Sequence, residues 1–389
     1  MREVVILSAV RTPIGRFQGG LSTTPAPRLG AAVIAEAVRR AGVAPDQIGE
    51  VLMGNVLSAG LGQAPARQAA LAAGLPVGVP ATTINKVCAS SLKAVMLGAQ
   101  AIQTGEADLV VAGGMENMSA APFLLDRARS GYRLGDGVLV DVMLRDGLVD
   151  AYGHGHMGNC AELLARTYKI TREEQDAFAA ESYRRALAAM DGGIFAREIV
   201  AVQPPSGPPV TEDEEPRRVN FAKIPTLRPV FQEDGTVTAA NASSISDGAA
   251  AVVLASTQEA ARLGLRPVAH VIGQAGAAMA PEWFTIAPAH ATRRLLERVG
   301  WTTADVDLFE VNEAFASVVV AFMRELGVDH ARVNVHGGAV ALGHPIGASG
   351  ARVLTTLLNA LETRNVRRGV VAVCLAGGEA VAVAVERVV

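Results

Sequence analysis

Residues 82–105 of this 389-residue chain read Thr-Thr-Ile-Asn-Lys-Val-Cys-Ala-Ser-Ser-Leu-Lys-Ala-Val-Met-Leu-Gly-Ala-Gln-Ala-Ile-Gln-Thr-Gly. From Leu92 onward the large apolar residues recur at helical spacing, and Gly105 is a typical helix end. Small residues cover much of the opposite face, which predicts a helix that is buried on more than one side. Cys88 is then expected where the helix begins, at the end whose free N–H groups and positive dipole stabilise a thiolate. By itself the segment predicts either a nucleophilic cysteine or a small buried apolar residue.

The composition restricts the class of protein. Half of the residues are hydrophobic and only 4% are aromatic, so the core must be built from Ala, Val and Leu. A formal net charge of −3 argues against nucleic acid as the main partner. Three cysteines with no C-x-x-C pair exclude a disulfide framework and favour a reducing compartment. No apolar run approaches the ~20 residues that span a bilayer, and the first residues predict a strand rather than a signal peptide. We therefore expect a cytoplasmic protein with no membrane partner.

The order of strands and helices occurs twice along the chain. Strands alternate with helices up to residue 118, which predicts an α/β protein with a mostly parallel sheet. The same order returns after residue 268, where Gly347-Ala-Ser-Gly aligns with Cys88-Ala-Ser-Ser. In both halves a strand that ends in Gly-Gly follows at a similar distance. Such internal similarity predicts two copies of one domain.

A different kind of segment, 119–240, separates the two copies. It contains the motif Gly-His-Gly-His-Met-Gly at 153–158. A long insertion in a compact repeat is more often functional than a linker. We therefore expect an N-terminal half made of 1–118 plus 241–267, a loop domain of 119–240 and a C-terminal half of 268–389.

Four reactive or polar residues lie at equivalent ends of strands and helices in the two copies: Cys88, Asn312, His344 and Cys374. Open α/β sheets bind ligands at such places. Each also has a structural interpretation, with Cys374 as a buried strand cysteine and Asn312 or His344 as a helix cap. Together they match thiol chemistry, because a nucleophilic thiol needs a base, a proton donor and donors for an oxyanion. Cys160 has no motif around it and is expected to be structural, and we predict no metal site.

The motifs that contain these residues resemble those of the thiolase family. They are Asn85-Lys-Val-Cys88-Ala-Ser, Gly113-Gly-Met-Glu-Asn-Met118, Gly155-His-Met-Gly158, Asn241-Ala-Ser243, Asn312-Glu-Ala-Phe-Ala316, His344-Pro-Ile-Gly-Ala-Ser-Gly350 and Cys374-Leu-Ala-Gly-Gly378. The match runs in order along essentially the whole chain. It implies a duplicated five-layer αβαβα fold with a loop domain over the coenzyme A site, and a homodimer or homotetramer. It also implies reversible condensation and thiolysis of acyl-CoA and acetyl-CoA in fatty acid metabolism, with coenzyme A as a substrate and no other cofactor.

The resemblance further implies roles for single residues. Cys88 would take the acyl group as a thioester, His344 would activate it, and Cys374 would move the proton at the α-carbon of acetyl-CoA. His344 and a water held by Asn312 would face the enolate oxygen, and the backbone N–H groups of Cys88 and Ala376 would form a second oxyanion site. The residues implied to hold coenzyme A are Ser243, Arg217, Leu148, His156, Met157 and Phe231, with Ala314 and Phe315 along the pantetheine tunnel.

The chain departs from the family pattern at several positions. Ser91, Ala376 and Ala380 stand where glycines are usual, and residues 283–288 replace a Met-Gly-Thr-Gly-Pro segment near the acyl pocket. Alanine at 376 strains the site only if its φ is positive. Two alternatives to a thiolase stay open. One is another synthase of the same superfamily, which lacks the second thiol, and the other is a non-catalytic paralogue that binds coenzyme A or lipid.

Overall fold

The computed structural model describes residues 2–388. Its strands are β1 (Val4–Arg11), β2 (Gly15–Arg16), β3 (Glu50–Gly54), β4 (Ala81–Ile84), β5 (Leu109–Asn117), β6 (Phe123–Leu124), β7 (Val140–Asp141), β8 (Ser246–Ser256), β9 (Ala269–Ala278), β10 (Leu308–Val311), β11 (Arg368–Leu375) and β12 (Glu379–Arg387). Its α-helices are α1 (Ala26–Ala41), α2 (Pro65–Ala72), α3 (Ser90–Thr104), α4 (Met157–Tyr168), α5 (Arg172–Asp191), α6 (Thr257–Arg262), α7 (Ala287–Val299), α8 (Ala316–Leu326), α9 (Ala339–Leu342) and α10 (Ser349–Thr363).

The strands of both halves join in one mixed sheet with the order β10-β11-β12-β9-β1-β8-β5-β3-β4. Across residues 2–388, parallel pairing joins β3 to β4 and β5 and joins β10 to β11. The remaining neighbours in this order run antiparallel. The prediction of a mostly parallel sheet is therefore wrong. The reason is connectivity, because a tight turn joins β11 to β12 and a tight turn can only produce an antiparallel pair.

Helices α3 and α10 lie side by side in the middle of the molecule. Their apolar residues share one core with residues from the strands of both halves. Helices α1 and α2 cover the outer face of the N-terminal strands, and α7 and α8 cover the outer face of the C-terminal strands. In the described part of the chain, only two residue pairs join β1 to β9, and the N-terminal and C-terminal parts of the sheet lie on opposite sides of the central helices. The layers are thus helix, sheet, helix, sheet and helix, and the expected five-layer α/β fold is confirmed.

One of the unusual residues, Ser91, links the two central helices. Helix α10 begins after Ala348, whose side chain cannot accept a hydrogen bond from the free N–H groups of the first turn. Ser91 on α3 accepts the hydrogen bond from the Ala351 N–H at 2.9 Å instead. The hydroxyl therefore caps the helix of the opposite half, because unpaired N–H groups at a buried helix end are costly.

A buried ion cluster ties the insertion to the central sheet. The Arg11 guanidinium at the end of β1 donates from Nε to Glu198 Oε1 at 2.5 Å. It also donates to both carboxylate oxygens of Asp213, at 2.6 and 2.9 Å. All three side chains are buried. Burial alone would lower the pKa of Arg11, but the two carboxylates raise it above its ordinary value, so the guanidinium stays charged.

Three further predictions concern the limits of the segments, membrane-spanning helices and metal sites. Strand β8, from the part of the chain after the insertion, lies between β1 and β5, but the residue limits of the three segments stay predictions. Within residues 2–388, no helix is both long and apolar enough to cross a bilayer. In the same residues, no group of three or more His, Cys, Asp and Glu side chains is arranged to hold a metal ion.

We expect Arg11→Met to lower the free energy of unfolding by about 3–5 kcal/mol, because two buried carboxylates would lose their counter-charge. Chemical denaturation measures the change. Arg39→Ala is the matched control, since its ion pair with Glu36 lies on the surface, where water and salt screen it, and should contribute little to stability. Equal losses in the two variants would contradict the assignment of the cluster as a buried anchor.

Candidate active site

A cavity of about 340 Å³ brings most of the predicted site residues together. Cys88, His344 and Ala376 line it. Seven of the eight residues predicted to hold coenzyme A line the same cavity: Leu148, His156, Met157, Phe231, Ser243, Ala314 and Phe315. Phe284, from the unusual segment 283–288, contributes a further aromatic wall. Because most of these side chains are apolar, the cavity suits a long aliphatic or pantetheine-like chain.

Arg217 is the predicted coenzyme A residue that does not line this cavity. Its guanidinium forms ion pairs with Asp191 at 3.0 Å and Glu212 at 3.2 Å. It borders a separate groove together with Arg16 and Arg218. Two carboxylates thus balance the positive charge of Arg217, and its role in holding coenzyme A stays a prediction.

Cys88 lies in a sharp turn between β4 and α3. The helix begins at Ser90, so the expectation that Cys88 is at the helix start is off by two residues. Val87 has a φ of 45°, in the left-handed region that β-branched residues rarely adopt. The Ser90 hydroxyl holds the turn, since it accepts from the Lys86 N–H at 2.8 Å and donates to the Val87 carbonyl at 2.6 Å. Strain of this kind is characteristic of functional sites.

Two backbone N–H groups point at the Cys88 thiol. Burial raises the pKa of Cys88 to about 12, while hydrogen bonds from the N–H groups of Cys88 and Ala376 lower it. We expected a depressed pKa from the helix end, but the apolar cavity has the larger effect. The balance of these effects favours the neutral thiol. These are the two N–H groups that the resemblance implies as an oxyanion site.

The turn that carries Ala376 accommodates alanine in place of the glycine that is usual in the family. Ala376 is not in the left-handed region, whereas Gly377 and Gly378 have φ values of 90° and 81°. The substitution therefore causes no backbone strain. Glu379, which follows this turn, accepts a 2.5 Å hydrogen bond from the Lys86 ammonium of the Cys88 turn. This ion pair links the two turns that provide the N–H groups. The third replaced glycine, at Ala380, is a buried β12 residue that faces Cys374 in the ladder.

The His344 ring has a defined tautomer. Its Nδ1 lies 2.5 Å from the Ser349 hydroxyl, and that hydroxyl donates its hydrogen to the Pro345 carbonyl at 2.9 Å. Ser349 can therefore only accept from His344, which places the ring hydrogen on Nδ1 and leaves Nε2 free to take a proton. Burial and the charge of Arg352 lower the pKa of His344 to about 3, so the ring is neutral. The sequence offered a signal for Ser349, a serine in the first turn of the helix after the His-Pro motif, but no role was assigned to it.

Asn312 connects the histidine to the second thiol. Its Nδ2 lies 3.5 Å from His344 Nε2, and its side chain also forms a hydrogen bond to Cys374. Burial raises the pKa of Cys374, and the nearby Cys88 raises it further. Asn312 is not a helix cap, because α8 begins four residues later with Phe315 as its N-cap. All four predicted reactive residues are therefore close to one another.

The neighbouring acid, Glu313, is buried rather than a first-turn residue of a helix. Its carboxylate accepts hydrogen bonds from the Ser182 hydroxyl, the Asn334 amide and the Val340 N–H. These bonds fasten the loop that carries Asn312 to α5 of the insertion and to α9. The partners of Glu313 are therefore residues far away in the chain and not the free N–H groups of the following helix α8.

Aromatic contacts hold the wall that the insertion provides. Phe231 stacks on His156 with ring centroids 4.6 Å apart and meets Phe315 edge-on at 6.1 Å. A Cβ atom at Gly158 would lie 2.2 Å from the Phe231 ring, so this position of the Gly-His-Met-Gly motif must be glycine for the stack to form. Cys160 packs in the same apolar cluster as Cys374, as expected for a structural residue.

Comparison with known proteins identifies relatives of the whole chain. Family models described as "Thiolase, N-terminal domain" and "Thiolase, C-terminal domain" match residues 4–258 and 265–387. Proteins named acetyl-CoA acetyltransferase from Pseudomonas aeruginosa and Cupriavidus necator are 53% and 52% identical, each with complete coverage of both chains. The crystal structure of Acat5 thiolase from Ascaris suum in complex with coenzyme A is 48% identical, also with complete coverage, and superposes with a TM-score of 0.96. The chain belongs to the thiolase family.

Proposed function

We propose that this protein is an acetyl-CoA acetyltransferase that reversibly converts two molecules of acetyl-CoA to acetoacetyl-CoA and free coenzyme A. The observation that carries the proposal is the meeting of Cys88, His344, Cys374 and Asn312 beside an apolar cavity. The names of the relatives and the coenzyme A bound to the Ascaris protein support the same substrate.

In the first half-reaction, Cys88 attacks the carbonyl carbon of acetyl-CoA. His344 Nε2 takes the thiol proton as the sulfur–carbon bond forms and returns it to the departing coenzyme A thiolate, so charge balances. The N–H groups of Cys88 and Ala376 stabilise the negative oxygen of the tetrahedral intermediate. A neutral thiol beside a neutral imidazole is a workable resting state, because the proton moves only when substrate excludes water.

In the second half-reaction, His344 Nε2 takes the proton of the Cys374 thiol, and the resulting thiolate removes a proton from the α-carbon of another acetyl-CoA. The enolate carbon attacks the Cys88 thioester and displaces the Cys88 thiolate, which takes its proton from His344, so acetoacetyl-CoA forms and both thiols are neutral again. We assign to the Asn312 amide and the protonated His344 the role of donors to the enolate oxygen. Cys374 favours this reaction over that of a synthase in the superfamily, which would not need a second thiol. Measured turnover would exclude a paralogue that only binds coenzyme A or lipid.

Assembly and location belong to the same proposal. Large apolar side chains are exposed along the insertion, and a second copy of the chain would cover them in the homodimer or homotetramer that we propose. They are Phe123, Leu125, Leu134, Val138, Leu139 and Tyr152. A cytoplasmic location and a place in fatty acid metabolism stay predictions from the sequence.

We expect Ser349→Ala to lower kcat for acetoacetyl-CoA thiolysis by about tenfold or more with little change in KM, since a positioned base contributes about 10²–10⁴ in rate. The variant removes the acceptor that keeps the His344 hydrogen on Nδ1. Ser91→Gly is the control, because it also deletes a hydroxyl at the start of α10 but leaves His344 untouched. Equal kcat losses would mean that helix position, not the tautomer, is affected.

Incubation with acetyl-CoA should place one acetyl group on Cys88. The turn geometry and the two N–H groups single out this thiol, whereas Cys160 is buried in an apolar cluster. Peptide mass spectrometry after rapid acid quenching locates the adduct. Acetyl on Cys374 or Cys160, with Cys88 unmodified, would refute the assignment of the nucleophile.

The two thiols should differ in which half-reaction they support. Cys374→Ser should still acetylate Cys88 but lose exchange of the acetyl-CoA α-hydrogens with deuterated solvent, by about 10²–10⁴-fold. Cys88→Ser should lose acetylation, because a hydroxyl is a much weaker nucleophile near neutral pH. Exchange at the wild-type rate in Cys374→Ser would transfer the role of α-carbon base to His344.

A further inference from the structure

The N-terminal half contains a counterpart of the active site whose side chains are fully buried, and we call this counterpart the closed copy. Strands β3 and β5 pair in parallel, with Gly54 opposite Gly114. Asn55 follows β3, and Glu116 lies two residues beyond Gly114. The Asn55 amide donates to the Glu116 carboxylate at 2.9 Å. Both side chains are fully buried.

The C-terminal half has the same arrangement with reactive residues. Strands β10 and β11 pair in parallel, with Val311 opposite Ala372. Asn312 follows β10, and Cys374 lies two residues beyond Ala372 and bonds to the Asn312 side chain. The duplicated register therefore makes Glu116 the counterpart of Cys374.

The Glu116 carboxylate also occupies an anion site made of backbone groups. It accepts from the N–H groups of Val56 at 3.0 Å, Leu57 at 3.2 Å and Gly347 at 2.9 Å. Gly347 precedes α10 as Cys88 precedes α3, so its N–H corresponds to the one that points at the Cys88 thiol. In the closed copy the carboxyl group of Glu116 thus fills the place where the active copy would hold a transient oxyanion.

The bond to Gly347 reaches the active site. Gly347 is three residues after His344, in the turn that carries the ring into the cavity. A Cβ at this glycine would lie 2.5 Å from Glu116 Oε2, so the turn rests directly on the carboxylate. We propose that Glu116 is a positioning residue, the internal anion of a closed active-site copy, that holds the His344 turn in register with Cys88.

This proposal rests on the proposed function only for the expected change in kcat, because the position of the His344 ring can be tested without coenzyme A. The rate of Cys88 alkylation by iodoacetamide reports how well His344 reaches the thiol, and His344→Ala provides the slow reference rate. Burial raises the pKa of Glu116 to about 7, so an assay at pH 8 keeps most of this carboxylate ionised. Loss of the charge alone would lower the pKa of Cys88 and speed alkylation. A slower reaction therefore indicates misplacement of the ring.

Glu116→Gln should slow alkylation of Cys88 about tenfold and lower kcat similarly, with KM for coenzyme A within twofold of the wild type. Asn55→Ala keeps the carboxylate but removes its side-chain donor, so a decrease of about two- to fivefold is expected. Glu198→Gln is the control, since this equally buried carboxylate bonds to Arg11, Thr356 and Asn359 rather than to the His344 turn. It should lower thermal stability and leave the alkylation rate unchanged.

Alkylation at or above the wild-type rate in Glu116→Gln overturns the proposal. If that variant does not fold, a wild-type rate in Asn55→Ala overturns it. If Glu198→Gln slows alkylation as much as Glu116→Gln, the effect is general loosening and the proposal also fails. Wild-type protein whose alkylation depends on His344 but which does not turn over acetoacetyl-CoA would refute the proposed function and leave the positioning role intact.

Discussion

The close approach of α3 and α10 at their N-terminal ends is the constraint on which the rest of the structure depends. At this crossing the two halves of the chain touch through backbone atoms. A Cβ at Gly114 would lie 2.1 Å from the Gly347 carbonyl oxygen, and one at Gly350 would lie 2.5 Å from the Leu92 nitrogen. Larger residues would separate the helices, and with them the turns that carry Cys88 and His344. The close packing of the two helices therefore sets the distance between the turns of Cys88 and His344.

This crossing also explains why the thiol and the imidazole are neutral. Both groups lie at the edge of a core made of small apolar residues, where a charge loses much of its hydration. The backbone N–H groups and the Asn312 amide supply fixed dipoles in place of water. Such an environment stabilises charge that appears during reaction without needing to reorganise, which is how electrostatic preorganisation lowers a barrier. In the N-terminal copy the same kind of backbone frame instead donates hydrogen bonds to a side chain of the protein itself, the carboxyl group of Glu116.

Some features of the candidate site could be predicted from the sequence, and others could not. The four residues that we propose to react, Cys88, His344, Cys374 and Asn312, all belong to motifs at strand or helix ends, and their proximity is expected if the two halves are aligned copies. The resemblance implies that Arg217 holds coenzyme A, but a sequence does not reveal the partners of a charge, and in the structure Arg217 is paired with Asp191 and Glu212. The prediction of a depressed Cys88 pKa had the same weakness, because a helix start is a local feature whereas desolvation depends on every residue around it.

The sequence by itself determined the alternation of elements, the duplication, the buried central helices and the choice of the four residues that we propose to react, since these follow from periodicity and from motifs a few residues long. Only the tertiary structure decided that the sheet is mixed, that Ser91 caps the helix of the other half, that Ser349 sets the His344 tautomer and that Glu116 lies against the His344 turn. Each of these depends on a contact between residues far apart in the chain. Spacing along a sequence specifies which groups are present, and folding specifies which donor meets which acceptor.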